Sequence, residues 1–450
     1  MTKTLKQRAV RSGSWVIFGH LVSQALRLGS NLVLTRLLVP EMFGVMAIVS
    51  VVMGGIEMFS DVGLLQNIVQ SKRGEEPDYL NTAWTIQIIR GFFVFFIALL
   101  LSASLYYAGQ LEFLSTETVY GNQQLPFILA VVSITAVISS FNSIHILLLN
   151  RKLMLGKLVT IELLSQIIGL IFMLVWAWYQ RDIWALVFGG IVASCIKMLL
   201  SHLLKLGARC QFRWDRGAVH EIFHFGKWIF MASILGFMLN QGDRVLLGGL
   251  ISPEYLGVYT IAFFIANAVK DIISRLLSNV FFPFLSDVVR NSPETVEKVY
   301  YKIRLKIDMI TMFTAGLLFS VGSLIINFLY DSRYESAGWM LEILSISLIS
   351  VGFMLSDQLL LAHGKPKYTS LMVMVQVLSL YFFVPLGFLY FGLIGAVWAV
   401  ALNPVLKVCI AMFIMKRKFF LNFYREVRGL PFVGIGFFAG ELFKKSIYMT

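Results

Sequence analysis

The 450-residue chain has 38 Lys and Arg against 25 Asp and Glu, a formal net charge of +13, yet only 14% of its residues are charged and 58% are hydrophobic, with a mean hydropathy of +0.78. That balance leaves too little polar surface for a water-soluble globule of this length, so most of the chain is expected to be solvated by lipid. Lipid offers no partners to backbone N–H and C=O groups, and the apolar segments run for about 20 residues without alternation, which calls for helices rather than a β-barrel.

In chain order, membrane spans are predicted at 14–37, 43–68, 84–108, 124–148, 158–179, 183–205, 226–250, 256–283, 307–329, 337–361, 368–390 and 393–415. The expected fold is therefore all-α and polytopic, with about twelve transmembrane helices. The first span is too long for a signal-peptide core and no small-residue cleavage site follows it, so it reads as a retained helix. Residues 416–428 are basic. Residues 429–443 form a short apolar segment rich in glycine, read as a re-entrant or interfacial piece or the start of a thirteenth helix.

Lys and Arg in short loops stay cytoplasmic. One set of loops holds 26 of them, from Lys3 to Arg428, and the opposite set holds two, Arg181 and Arg333. Both termini are thus expected in the cytoplasm, with an even number of spans. The positive charge is then a topology signal with affinity for anionic headgroups and needs no nucleic-acid partner. Cys195, Cys210 and Cys409 have no paired spacing, so no disulfide, metal site or cofactor is expected from them.

The two halves repeat each other. An offset of 213 lays Gly13, Trp15, Leu26, Gly29, Leu34, Leu37, Pro40, Glu41, Gly44 and Val45 onto identical residues from Gly226 to Val258, ten identities in 33 positions without a gap. At an offset of 210, Lys157, Gln166, Leu170, Val187 and Lys197 fall on Lys367, Gln376, Leu380, Val397 and Lys407. Six spans per repeat is an even number, so the halves are parallel and related by a pseudo-twofold along the membrane normal. The expected division is an N-terminal six-helix lobe at 1–210, a cytoplasmic linker at 211–225, a C-terminal six-helix lobe at 226–415 and a tail at 416–450. Two bundles joined this way are the layout of a rocking transporter with its path between them.

Ionised groups inside hydrocarbon are costly and call for a use. His20, Gln24, Arg27 and Asn31 recur at spacings of four, three and four, on one face of the first span. The seventh span adds Asn240, Asp243 and Arg244, the eighth Asn267, Lys270, Asp271, Ser274 and Arg275, and the second Glu57 and Asp61. A path lined this way is wet and cationic; Arg forks suit phosphate or pyrophosphate bidentately, and Lys acts as a point charge. For Arg27 and Lys270 the competing reading is a structural ion pair, such as Arg27 with Glu57. Arg90, Lys197 and Lys407 lie close enough to the cytoplasmic boundary for their stems to snorkel. Asp243 and Arg244 are placed either for a local salt bridge or for substrate contact. Asp61 is a candidate to cap, gate or bind a cation.

His220, Glu221 and His224 spell H-E-x-x-H, the zinc and general-base pattern of metalloproteases. The segment lies in a basic loop and His20, His145, His202 and His363 offer no clear third ligand, so an amphipathic interfacial helix is the plainer reading. No phosphate-binding loop appears, and no catalytic residue is assigned.

Ser12-Gly13-Ser14-Trp15, the turn from Leu34-Thr35-Arg36-Leu37-Leu38 to Pro40-Glu41-Met42-Phe43-Gly44, and Phe59-Ser60-Asp61-Val62-Gly63-Leu64 resemble the polysaccharide exporter family, the O-antigen and exopolysaccharide flippases of the multidrug/oligosaccharidyl-lipid/polysaccharide exporter superfamily. Phe225-Gly226-Lys227-Trp228 and Pro253-Glu254-Tyr255-Leu256-Gly257 are the second-half counterparts. The resemblance implies a V-shaped pair of bundles in the bacterial inner membrane that carries a polyprenyl-pyrophosphate-linked oligosaccharide from the cytoplasmic to the periplasmic leaflet, with no covalent chemistry. It places the pyrophosphate on Arg27, Lys270 and Arg275, with Arg244, Arg90, Gln24 and Asn31 along the pathway. Glu57, Asp61, Asp243 and Asp271 become candidates for proton or sodium coupling or for gating, and polysaccharide polymerase machinery a candidate partner. The runner-up is a multidrug cation antiporter of the same superfamily, which a cationic lining disfavours. A glycan polymerase would carry a large periplasmic loop, whereas the longest outward loop here, 109–123, is short.

Overall fold

A computed structural model describes residues 5–152, 154–203, 210–420 and 422–448, with the side chains of 5–12, 225, 227–229, 231, 232, 279, 447 and 448 not described. Lys3, Lys205 and Arg209, counted above among the loop cations, lie outside the described residues. Every regular element among the described residues is helical, the outcome expected when backbone polar groups must be satisfied within a segment. The chain divides into two compact units, Met1–Phe237 and Met238–Thr450.

The first unit runs through α1 (Leu5–Leu37), α2 (Pro40–Phe59), α3 (Leu64–Gln70), α4 (Pro77–Gln110), α5 (Leu125–Val132), α6 (Ile134–Ser140), α7 (His145–Arg151), α8 (Leu155–Tyr179), α9 (Trp184–Leu203) and the start of α10 (Arg216–Gly248). The second continues α10 into α11 (Pro253–Leu276), α12 (Phe282–Asn291), α13 (Val296–Leu329), α14 (Ala337–Ser345), α15 (Met354–Ala362), α16 (Pro366–Leu402), α17 (Pro404–Lys418), α18 (Phe423–Val427) and α19 (Pro431–Tyr448). Each of the twelve predicted intervals is mainly helical. By length and composition, eight helices among the described residues can cross a membrane, or nine if the bent run of α5 to α7 is one span; Pro366–Lys418 counts once although it takes in the last two predicted spans. Twelve crossings therefore remains the expectation from sequence. The repeat is visible in the helix starts: α1 and α10 are both 33 residues long, and α2 and α11 both open with a proline at the offset of 213, Pro40 and Pro253. At that position the missing N–H would have had no helical partner anyway.

Several spans are broken, and each break recruits a neighbour for the backbone groups it frees. Between α2 and α3, Gly63 adopts φ +64°, and its N–H donates to Asp61 Oδ1 at 2.9 Å. Asn67 Nδ2 donates to the Gly63 carbonyl at 3.0 Å, and Arg90 reaches the Glu57 carbonyl at 2.7 Å. Where α6 turns by 66° into α7, Gln87 Nε2 donates to the Ser140 and Asn142 carbonyls at 2.7 and 3.0 Å, and Trp84 Nε1 to Asn142 at 3.2 Å. In the second unit a π-helical turn at Leu277–Phe281 joins α11 to α12, and a 3-10 stretch at Ile346–Phe353 joins α14 to α15.

Residues 416–450 are part of the second unit. Helix α19 is continuous and packs along α13 through small residues: a methyl on Gly316 would strike the Val433 carbonyl oxygen, and one on Gly436 the Phe313 carbonyl oxygen. Ser320 Oγ donates to Glu441 Oε1 across the same contact at 2.7 Å. Below it, the fully buried Arg304 donates through Nε to Asp308 at 2.8 Å, pairs through Nη1 with Glu426 of α18 at 3.1 Å and lies 3.7 Å over the Phe353 ring. Burial pushes the Glu426 carboxyl above its ordinary value, against the pull of Arg304.

Candidate functional site

The second unit contains a polar cavity of about 180 Å³. Its polar wall comes from Asn240 and Asp243 of α10, Asn267 and Lys270 of α11, Ser347 and Ser350 of the 3-10 stretch, Gln376 of α16, Asn403 just before α17 and Lys407 within it, set among apolar side chains such as Leu239, Phe263, Leu344 and Met354. Spacings of three and four put each pair on one face of its helix. Pro404 ends α16 by removing a donor, and the Val400 carbonyl beside the cavity takes the Asn403 N–H instead, at 3.3 Å.

Its charges are arranged unequally. Asp243, 4% exposed, accepts from the Tyr259 hydroxyl at 2.6 Å, and its Oδ1 has no hydrogen-bond partner among the described residues. Lys407 is paired with Asp357 of α15 at 2.7 Å. Lys270 lines the cavity with no carboxylate oxygen within 4.0 Å among the described residues. The site therefore holds one committed ammonium, one ammonium without an ion-pair partner among the described residues and the Asp243 carboxylate, amid amides and hydroxyls; Lys270 suits an oxyanion, and the amides, hydroxyls and carboxylate suit sugar hydroxyls.

The remaining sequence-predicted residues are scattered. Arg244 donates to Gln241 at 3.0 Å and stacks over Phe263 at 4.9 Å, so the local Asp243–Arg244 bridge is not made among the described residues. Asp271 and Arg275 are exposed on α11. In the first unit Gln24 and Asn31 are half-buried and Arg27 is exposed, and the alternative Arg27–Glu57 ion pair does not form among the described residues. Instead Arg90 gathers the break after α2, donating to Ser60 Oγ at 3.1 Å and the Glu57 carbonyl, with Asp61 at 3.8 Å. Arg90 and Lys407, read as snorkelling candidates, thus both have acceptors, as does Lys197, 3.6 Å from Glu162. The offset of 213 sets Glu57 at the place of Lys270 and Arg27 at that of Asn240, so the repeats carry different charges on equivalent faces.

Asp357, Asn403, Gln376, Ser347 and Ser350 were not singled out from the sequence. Only Gln376 and Lys407 carried a signal, as repeat partners of Gln166 and Lys197; Gln166 accepts from Ser23 Oγ at 2.7 Å within the first unit. His220, Glu221 and His224 border a cleft with Asn67, Gln70 and Ser71, the two imidazoles stacked 6.0 Å apart. Among the described residues no three His, Cys, Asp or Glu side chains gather to hold a metal ion.

A family profile described as "Polysaccharide biosynthesis protein" matches residues 33–339. The chain is 20% identical to the lipopolysaccharide biosynthesis protein WzxC of Escherichia coli (strain K12), over 94% of this chain and 84% of that one. It is 20% identical to the succinoglycan biosynthesis transport protein ExoT of Rhizobium meliloti (strain 1021), over 77% and 68%. Among solved structures, the fold resembles the lipid II flippase MurJ in an inward closed conformation, with a TM-score of 0.70, 13% identity, and coverage of 96% of this chain and 99% of that one.

Proposed function

The chain belongs to the polysaccharide biosynthesis protein family, and from that premise we propose that it is a carrier that moves a polyprenyl-pyrophosphate-linked oligosaccharide from the cytoplasmic to the periplasmic leaflet of the bacterial inner membrane. A free anionic headgroup faces a cost on the order of tens of kcal/mol in hydrocarbon, so the protein must supply a polar route. The observation that carries the reading is Lys270, an ammonium without an ion-pair partner among the described residues, in a cavity of amides and hydroxyls. WzxC and ExoT, by their names proteins of lipopolysaccharide and succinoglycan biosynthesis, support the substrate class.

Lys270, Arg27 and Arg275 receive the pyrophosphate in alternation as the carrier opens to each side, with Arg244, Arg90, Gln24 and Asn31 along the route. The movement makes and breaks no covalent bond. Asp243, with its unpartnered oxygen, is the first candidate for proton or sodium coupling; Glu57, Asp61 and Asp271 follow. The N-terminal and basic loops face the cytoplasm, and a polysaccharide polymerase receives the product.

The test is leaflet translocation of a fluorescent polyprenyl-pyrophosphate oligosaccharide in proteoliposomes. The wild type transports, Arg27→Ala and Lys270→Ala fail, and His220→Ala/Glu221→Ala retains transport. Transport indifferent to Arg27 and Lys270 would make those charges structural, and none by well-folded protein would remove the substrate assignment.

A further inference from the structure

Helix α16 folds back on itself at Gly392, whose φ of +61° and ψ of −150° lie where side-chain-bearing residues are strained. Its two limbs meet so closely that a methyl on Gly395 would strike the Gly387 carbonyl oxygen. Beside this hairpin runs a groove of about 650 Å³, walled by Phe383, Leu386, Tyr390, Phe391, Ile394 and Trp398. Most helix faces turned to a bilayer are convex and take whatever acyl chain lies against them. This one is concave, and it ends on a polar residue.

That residue is Asn403, which lines both the apolar groove and the polar cavity of Lys270. Asn403 is 7% exposed, and its Oδ1 has no hydrogen-bond partner among the described residues. A buried amide oxygen left without a partner costs about 1–3 kcal/mol, a cost that a ligand hydroxyl reaching it would relieve. Groove and cavity together describe one amphiphile, apolar along its length and anionic, with hydroxyls, at one end.

We propose that the groove seats part of the isoprenoid chain of the lipid carrier, with the junction of pyrophosphate and sugar passing Asn403 toward Lys270. The inference rests on the lipid-linked saccharide reading and gives that substrate a second binding surface. Asn403 Nδ2 donates to a phosphate oxygen and its Oδ1 accepts from a sugar hydroxyl. The rest of the chain stays in the bilayer.

The experiment uses the full-length protein in phosphatidylethanolamine vesicles with a diazirine-bearing polyprenyl pyrophosphate as the probe. Photolysis is expected to label residues 383–403, and unlabelled polyprenyl pyrophosphate to compete where phosphatidylglycerol does not. Filling the groove by Ile394→Trp or Leu386→Trp, both at lipid-facing positions, is expected to cut labelling about tenfold, the change produced when about two methylene-sized groups lose their seat. Label that phosphatidylglycerol displaces equally well, or that spreads evenly over the lipid-facing helices, overturns the proposal and leaves an ordinary annular-lipid surface. Transport measured in the same vesicles separates the two readings. Saccharide transport with no label in the groove removes the groove alone; competed label in the groove without transport removes the carrier function alone.

Discussion

The Asp357–Lys407 pair gives a quantitative test of the cavity. Its atoms are 2.7 Å apart, with side chains 11% and 16% exposed. At an effective dielectric of about 20 the attraction across that distance is about 6 kcal/mol, and desolvation of the two ions offsets most of it. The intact pair therefore contributes little net stability, while either ion left alone keeps its desolvation cost. Lys407→Met is expected to cost about 3–5 kcal/mol. The double variant Lys407→Met/Asp357→Leu, which replaces the ions by apolar groups of similar size, recovers most of that loss, so the costs of the two single variants do not add. Thermal unfolding of the detergent-solubilised protein, followed as loss of the monodisperse peak on gel filtration, measures all four corners of the cycle. Additive variants, each within about 0.5 kcal/mol of wild type, would show that Lys407 merely snorkels and that no buried pair shapes this wall.

Arg304→Met, which leaves the Asp308 and Glu426 carboxylates facing each other without a cation, should cost about 3–5 kcal/mol; Glu426→Gln, with Asp308 still neutralising Arg304, should cost only about 1 kcal/mol, and the same unfolding assay ranks them. Gly436→Leu drives a side chain into the Phe313 carbonyl and should lower stability by about 1–3 kcal/mol, whereas Gly434→Leu, with nothing within 4 Å of its Cβ, should be silent. Arg73, 2.7 Å from Asp215, holds that carboxyl below its ordinary value. A depressed carboxyl stabilises the fold above its unfolded pKa, about 3.9, and loses that contribution as pH falls through the folded value. The gap in thermal midpoint between wild type and Asp215→Asn should therefore be open at neutral pH and close in acid; a gap independent of pH would mean Asp215 acts only as a cap on the Gly217 N–H.

The helical intervals were legible because hydrocarbon thickness fixes their length, and the repeat was legible because Pro40 and Pro253 must both sit in a first helical turn. Breaks were harder to see. The 3-10 stretch at Ile346–Phe353 contains no proline to announce it, whereas the π-helical turn at Leu277–Phe281 sits just before Pro283, whose missing N–H leaves a carbonyl inside the turn without its helical donor. Lys270 and Asp243 stood out because charge inside a membrane span is rare. Asp357 and Lys407 did not, since a lysine within about three turns of a basic boundary has a ready alternative in snorkelling and a lone aspartate names no partner. Asn403 and the two serines were invisible for a simpler reason, and Gln376 was marked only by the repeat: an uncharged amide or hydroxyl in a helix gives no sign of which neighbour it will meet.

The buried triad also bears on the order in which the chain assembles. Helix α13 emerges from the ribosome well before Glu426, and a guanidinium buried at the entry to its span needs a partner before α18 exists. Asp308, one turn along the same helix, travels with Arg304 from the outset and cancels its charge within the segment. That pair is thus in place before α18 is made, and the later carboxylate serves to fasten α18 once it arrives, so that early pairing and final closure depend on different members of one cluster.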